Sequence, residues 1–258
     1  MGRLDFIRKT APAVVADPRI KYCLVDYSCP EASGDWLEHA FPEHVQARRV
    51  LVERVPGHTS FNKCKAMNAG ARRALREGAE YLLFLDADTV VKPGFVDSVV
   101  GALRPGEFQI IGRDEAENDG PNLIGVLALS REDFEASGGW DENFVHWGCE
   151  DIEFRLRLYL LQGLVYREIP LHLLASLPHS SEIRFRFSVV KDAYACMQQG
   201  WAVIHRKLEQ EWRGRMHRPF EDAERLCTVQ VGRPPRFAGA ARRAVPAQSP
   251  RGRVRQRW

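Results

Sequence analysis

The stretch Tyr81 to Phe95, YLLFLDADTVVKPGF, decides how the chain folds. Its opening apolar run has the length and composition of a buried strand, and Pro93-Gly94 starts the next helix. Asp86 and Asp88 therefore fall just past the strand's carboxyl end, where open α/β sheets bind ligands. Two carboxylates with one residue between them can hold Mn²⁺ or Mg²⁺ and leave coordination positions open to phosphate oxygens. Taken alone, such a pair is more often a surface turn, because Asp often follows strands to bond the local backbone. The apolar run before it and the Pro-Gly after it weigh against that reading.

Outward from this strand, apolar runs alternate with amphipathic stretches, the pattern of an α/β sheet. Further strands are expected at Ile20–Asp26, Val50–Arg54, Phe108–Gly112, Asn122–Leu129 and Leu164–Ile169, with Tyr81–Asp86 among them. Helices are expected at Leu4–Val15, Asn62–Glu77, Pro93–Leu103, Glu150–Gln162 and Phe187–Trp212. The clearest is Asn62–Glu77: Asn62 caps it, Cys64, Met67, Ala71, Ala74 and Leu75 form one apolar stripe, and Gly78 ends it.

With 258 residues, 45% hydrophobic and 28% charged, the chain can bury a real core and is neither disordered overall nor fibrous. Its six cysteines lack metal-site spacing, which suits reduced thiols. No apolar run reaches the length of a membrane span and Met1–Thr10 has no signal-peptide core, so a cytoplasmic location is expected. Eight of the 37 basic residues lie in residues 232–258, leaving 29 against 34 acids, a body charge of −5. Residues 1–231 are accordingly read as one α/β domain and 232–258 as a disordered Arg-rich tail. The tail is expected to be solvated, with weak contact to an anionic membrane surface and no specific nucleic acid.

A second cluster, GGWDENFVHWGCEDIEFRLRL (Gly138–Leu158), places Trp147-Gly148 directly before Glu150 and Asp151 at the start of a helix. Acids in a first helical turn suit the free N–H groups and the positive end of the macrodipole. The competing reading is a sugar site, in which an exposed aromatic ring stacks on a carbohydrate face and a carboxylate accepts a hydroxyl proton.

Three segments together resemble the GT-A-fold glycosyltransferases, in particular the β-1,4-galactosyltransferase and chondroitin-polymerase-like family. FNKCKAMNAG (Phe61–Gly70) is similar to that family's FNRAKLLNxG. DADTVVKPG supplies the DxD, and GGWDENFVHWGCEDIEF is similar to GGxDExFxGWGxEDxxF. LPHSSEIR adds His179 in the place of a family metal ligand. The resemblance implies a GT-A (Rossmann-like) mixed sheet flanked by helices. It also implies an inverting, metal-dependent transfer of a hexose-type sugar from a UDP-sugar to a carbohydrate hydroxyl.

By the same resemblance Asp26 contacts the nucleobase and Lys63 stands near the nucleotide in place of an arginine. Asp86 faces the ribose or metal, Asp88 and His179 bind Mn²⁺ or Mg²⁺, Trp147 and Glu150 hold the sugars, and Asp151 is the base. Ser176 stands where the pattern can carry a methionine ligand, which leaves the third protein ligand open. The family opens with a central strand, whereas MGRLDFIRKTAP resembles the helix after it, so the domain is expected to lack its first β-strand in these residues. A segment ahead of Met1 is expected to supply that strand, and a gap beside Ile20–Asp26 is expected without it. Two alternatives remain at this point. One is a nucleotidyltransferase, which would have no use for Trp147 beside a base, and the other a non-catalytic nucleotide or carbohydrate binder.

Overall fold

The computed structural model describes residues 1–111 and 123–227. The first helix, α1 (Leu4–Val15), buries Ile7, Ala11, Val14 and Val15, the helical spacing of one apolar face. It leads into β1 (Tyr22–Tyr27), which pairs in parallel with β2 (Val50–Val55) from Tyr22↔Val50 to Tyr27↔Val55. Parallel neighbours need a crossover. Here α2 (Ser33–Ala40) and α3 (Pro42–Gln46) provide it.

The next helix, α4 (Lys63–Arg76), starts where the sequence places it, with the Asn62 side chain accepting from Lys65 N. Its stripe packs on the main core: Cys64 and Ala71 are buried, and Met67, Ala74 and Leu75 lie against them. Then follow β3 (Tyr81–Phe84), β4 (Thr89–Val91), α5 (Phe95–Ala102), β5 (Glu107–Ile111), β6 (Leu127–Ser130) and α6 (Arg131–Ser137). The second half adds α7 (Glu150–Leu160), β7 (Val165–Ile169), β8 (Leu174–Ser176), α8 (Ser181–Phe185) and α9 (Ala193–Arg206), the last running into a π turn at Lys207–Glu211.

Four strands form one mixed sheet in the order β3-β6-β5-β7. β6 is antiparallel to β3 and β5, and β5 is parallel to β7. β6 is buried at every residue, as a central strand covered on both faces should be. The main core lies on one face, between the sheet and α4, α7 and α9, and includes Phe84, Phe108, Trp140, Phe154 and Trp201. A second core under α5 joins Phe95, Val99, Ile111 and Leu123 on the other. β1 and β2 stand as a separate pair, and among the described residues no strand links β1 to β3.

Several expected boundaries move, each for a local reason. Tyr81–Asp86 leaves the sheet at Phe84, because Asp86 O accepts Thr89 N and turns the chain into β4. The strand expected at Asn122–Leu129 begins only at Leu127, since Leu123–Val126 closes a turn; Asn122 lies outside the described residues, as do Gly112 and the tail 232–258. The helix expected at Phe187–Trp212 starts only at Ala193, and a separate short helix, α8, ends ahead of it at Phe185. Lys191 Nζ donates to the carbonyls of Phe185 and Arg186 at the end of α8, and Asp192 then caps α9 by accepting from Ala195 N. The short pair β4/β8 carries too little periodicity to be read in sequence, yet it brings Thr89 opposite Ser176.

Candidate active site

Three loops at the carboxyl ends of the strands converge on one cavity of about 1080 Å³, lined by Lys63, Asp86, Asp88, Trp147, Glu150, Asp151 and His179 among others. Lys63 enters from the first turn of α4. Its ammonium lies 3.0 Å from an oxygen of Asp86, 3.0 Å from Asp151 Oδ2 and 3.8 Å from Glu150. Burial opposes the charge on Lys63, but Asp151, Asp86 and Glu150 outweigh it and hold the amine well above its ordinary pKa.

Two acids of this cluster are held from α7. Cys149 precedes the helix at φ 68°, a left-handed conformation that a residue with a side chain adopts uncommonly. The turn sets Glu150 and Asp151 at the helix start, facing α4. Glu150 is 4% exposed, and burial followed by the nearby Asp151 charge pushes its pKa up to about 7. Buried Glu150 Oε2 and Asp151 Oδ1 have no hydrogen-bond partner, so acceptor capacity is left over inside the site.

The two carboxylates of the DxD go separate ways. Asp86 meets Lys63, while Asp88 Oδ2 meets His179 Nε2 at 2.9 Å. The β4/β8 pairing makes the second contact possible, with Leu177 N also donating to Asp88 O. Burial, and then the charge of Asp86, raise the pKa of Asp88; His179 and Arg3 work against them. Among the described residues no three His, Cys, Asp or Glu side chains form a metal cluster. Asp88 and His179 nevertheless suit two adjacent ligands, since donors ~2.1 Å from an octahedral ion and at right angles lie ~3 Å apart. Their oxygen and imidazole chemistry fits Mn²⁺. Ser176 Oγ, three residues before His179, is buried without a partner.

Trp147 is half-buried, not the exposed ring the sequence suggests. Phe185 meets it edge-on at 5.5 Å and the Arg184 guanidinium lies 5.1 Å from its ring centre, because α8 folds back across it. Asp26, last but one in β1, has both oxygens committed to backbone: Oδ1 accepts from Cys29 N and Oδ2 from Gly34 N. It is absent from the cavity lining, so the structure brings Lys63, Asp86, Asp88, Glu150, Asp151, His179 and Trp147 together and leaves Asp26 behind the wall.

Four further residues shape the site. Asn68 accepts from Trp140 N and donates to Trp140 O and to Glu142 Oε1, stitching α4 to the Gly-Gly-Trp turn. Its motif was legible, but its partner lies 72 residues away. Gly125 has no local signal, yet a Cβ there would stand 2.1 Å from Asp86 Oδ2 and 2.8 Å from Lys63 Nζ. Arg3 lines the cavity, and burial lowers its guanidinium pKa against the pull of Asp88. Lys207, from the π turn, donates to Glu153 at 2.7 Å and to Asp141, tying α9 to the base of α7.

Comparison with known proteins follows the same two halves. The model of "Glycosyl transferase family 2" matches residues 3–136, and that of "N-terminal domain of galactosyltransferase" matches residues 118–176. Beta-1,4-galactosyltransferase 4 of Rattus norvegicus is 31% identical over 142 residues, and that of Homo sapiens 32% over 145. Each alignment takes 52% of this chain, and the chain spans about 40% of the length of these curated relatives.

Solved structures agree in fold. GalNAc-T7 with UDP, GalNAc and Mn²⁺ aligns at TM-score 0.54 and 16% identity, covering 67% of this chain and 41% of that one. Mannosyltransferase PcManGT from Pyrobaculum calidifontis, in complex with GDP-Man and Mn²⁺, aligns at 0.57 and 15%, covering 79% and 61%. The fold is that of the GT-A glycosyltransferases. Among the described residues no helix is long and apolar enough to cross a membrane.

Proposed function

The chain belongs to glycosyl transferase family 2, and on that premise we propose that it moves a hexose-type sugar from a UDP-sugar to a carbohydrate hydroxyl with inversion at the anomeric carbon. The observation that carries this reading is the Lys63 bridge, which joins an acid of the DxD to the acid of the helix start within one cavity. Donor chemistry at the first and acceptor chemistry at the second would then meet across one ammonium group. A hexose donor accords with the galactosyltransferase relatives, and a UDP carrier with the UDP named for GalNAc-T7.

In this mechanism Asp151 accepts the proton of the acceptor hydroxyl, and the oxygen forms its bond to the anomeric carbon as the bond to UDP breaks on the opposite face. No sugar becomes attached to the protein. Lys63 holds the Asp151 carboxylate in place and adds positive charge near the departing diphosphate. Asp88 and His179 would hold a divalent cation, as Mn²⁺ accompanies the nucleotides named for the two structural neighbours. When bound, that ion supplies charge neutralisation to the leaving group. Glu150 bonds sugar hydroxyls, and Trp147 presents the part of its ring that Arg184 and Phe185 leave open. Asp26 shapes the turn behind the nucleobase pocket through its backbone contacts.

The test is a panel of UDP-sugars with Mn²⁺ and carbohydrate acceptors, with the product anomer read by NMR. Transfer with inversion is expected, from galactose or N-acetylhexosamine donors. A product of retained configuration, or no turnover with any UDP-sugar although UDP binds, would remove the proposal.

A further inference from the structure

The middle of α9 holds a residue that a helix does not favour. Gly200 weakens a helix interior relative to alanine, because it loses more chain entropy on folding and packs no side chain. What faces it explains its place. A Cβ at Gly200 would stand 2.6 Å from Cys149 Cβ, 2.8 Å from Gly148 O and 2.9 Å from Cys149 Sγ, closer than Cβ atoms pack. The helix therefore meets the Trp147–Glu150 turn almost backbone to backbone.

Cys149 is locally unfavourable too, since it carries a side chain at φ 68°. A backbone of this kind persists where its surroundings fix it. Here α9 supplies them. The backbone of Trp147 hydrogen-bonds the Cys196 thiol, and the Cys149 thiol donates to Met197 O at 3.6 Å. Cys196 and Gly200 share one face of α9, and Lys207, about two turns further on, reaches Glu153 and Asp141. Glu150 and Asp151 thus lie in a segment that α9 grips on both sides. Each unfavourable residue is accounted for by the other: the left-handed turn brings Cys149 against the helix, and only a residue without Cβ admits it there.

This contact sets the direction in which α7 leaves the turn. Glu153 N donates to Cys149 O at 2.8 Å, so a displaced Cys149 takes the first turn of α7 with it. That turn carries Glu150 and Asp151, whereas Asp86 and Asp88 stand on the loop after β3. On the transfer reading above, with Asp151 as base, we propose that Gly200 is a positioning residue: by letting α9 meet the Cys149 turn it sets where Asp151 stands, and nucleotide binding at the DxD does not depend on it. A shift of ~1 Å at the reacting group is enough to cost about 10²-fold in rate.

Gly200→Ala tests this through turnover, UDP calorimetry and hydrogen exchange on the same protein. Turnover is expected to fall by about 10²-fold while UDP affinity stays within about twofold of the parent. Gln198→Ala, at an exposed position of the same helix, should turn over like the parent. Adding Cys149→Gly to Gly200→Ala removes the Cβ and Sγ that meet the new methyl group and gives the left-handed turn the residue that suits it. At least about tenfold of the lost rate should then return. A parent-like Gly200→Ala, a double variant no faster than the single one, or a UDP affinity that falls in step with turnover would each overturn the proposal. Should Gly200→Ala not fold, the double variant decides: a folded, active protein carries the proposal and an unfolded one overturns it. Should the parent turn over no UDP-sugar, the transfer reading falls by itself, and the contact is read on the Glu153 amide. Its exchange is expected to be at least about tenfold faster in Gly200→Ala and restored in the double variant. Unchanged exchange there would overturn the positioning role.

Discussion

Lys63 Nζ lies 3.0 Å from Asp151 Oδ2, so the residue proposed as base is held by a cation that also touches the DxD. Lys63→Met leaves Asp86, Glu150 and Asp151 facing one another without compensation. Transfer should fall by roughly 10² or more while the fold loses several degrees in Tm, because removing one partner of a buried pair strands the other. Lys63→Arg should keep the fold yet lose part of the activity, since a planar fork cannot repeat a point-charge contact to three acids. Equal turnover in Lys63→Met and the parent would refute the bridge as a functional element.

Asp151→Asn separates chemistry from helix capping. Asn keeps the size and the local hydrogen bonds but accepts no proton at neutral pH, so turnover should drop by about 10² or more with UDP affinity nearly unchanged. If the carboxylate only caps the helix, Asn serves about as well and both turnover and Tm survive. Steady-state kinetics and thermal melting on the one variant decide between these.

Asp88→Ala should abolish metal-dependent UDP binding, and Asp86→Ala should weaken it. With Asp88 gone, His179 loses the neighbour that stands 2.9 Å away and one hard oxygen donor disappears. Titration calorimetry of UDP with Mn²⁺ checks this, and an unchanged heat in Asp88→Ala would reduce the DxD to a turn.

The raised pKa of Glu150, about 7 against an ordinary 4.5, fixes the sign of one pH effect. Between those values the folded protein holds a proton that the unfolded chain has released, so this group's contribution to stability falls as pH rises from about 4.5 through about 7. Glu150→Gln should remove that part of the decline. Melting curves at pH 5 and pH 8 on both proteins test it: an identical pH slope in the variant would contradict the assignment.

Lys207→Met should destabilise by about 3–5 kcal/mol, because Glu153, 1% exposed, loses a partner at 2.7 Å and Asp141 loses its own. Arg157 still binds Glu153, which sets the lower end of that range. Urea midpoints measure it, and a change below ~1 kcal/mol would mean that the network reorganises freely.

The sequence by itself determined the elements and the kinds of chemistry available. A run such as YLLF is apolar over strand length, and Asn62 caps its helix through its own side chain, so strand, helix and the acids at their ends follow from local physics. Glu150 and Asp151 at the first turn of α7 were legible for the same reason. What only the tertiary structure decided is which of these groups meet. The Lys63–Asp151 contact spans 88 residues of sequence and depends on Asn68 holding the turn before α7. Gly125 is needed because two side chains from elsewhere occupy the space of its missing Cβ. Trp147 reads as an exposed ring until α8 folds back and sets Arg184 and Phe185 against it. Asp26 likewise spends both oxygens on the backbone of its own turn. Contacts of this kind depend on sheet order and helix docking, which no local pattern encodes.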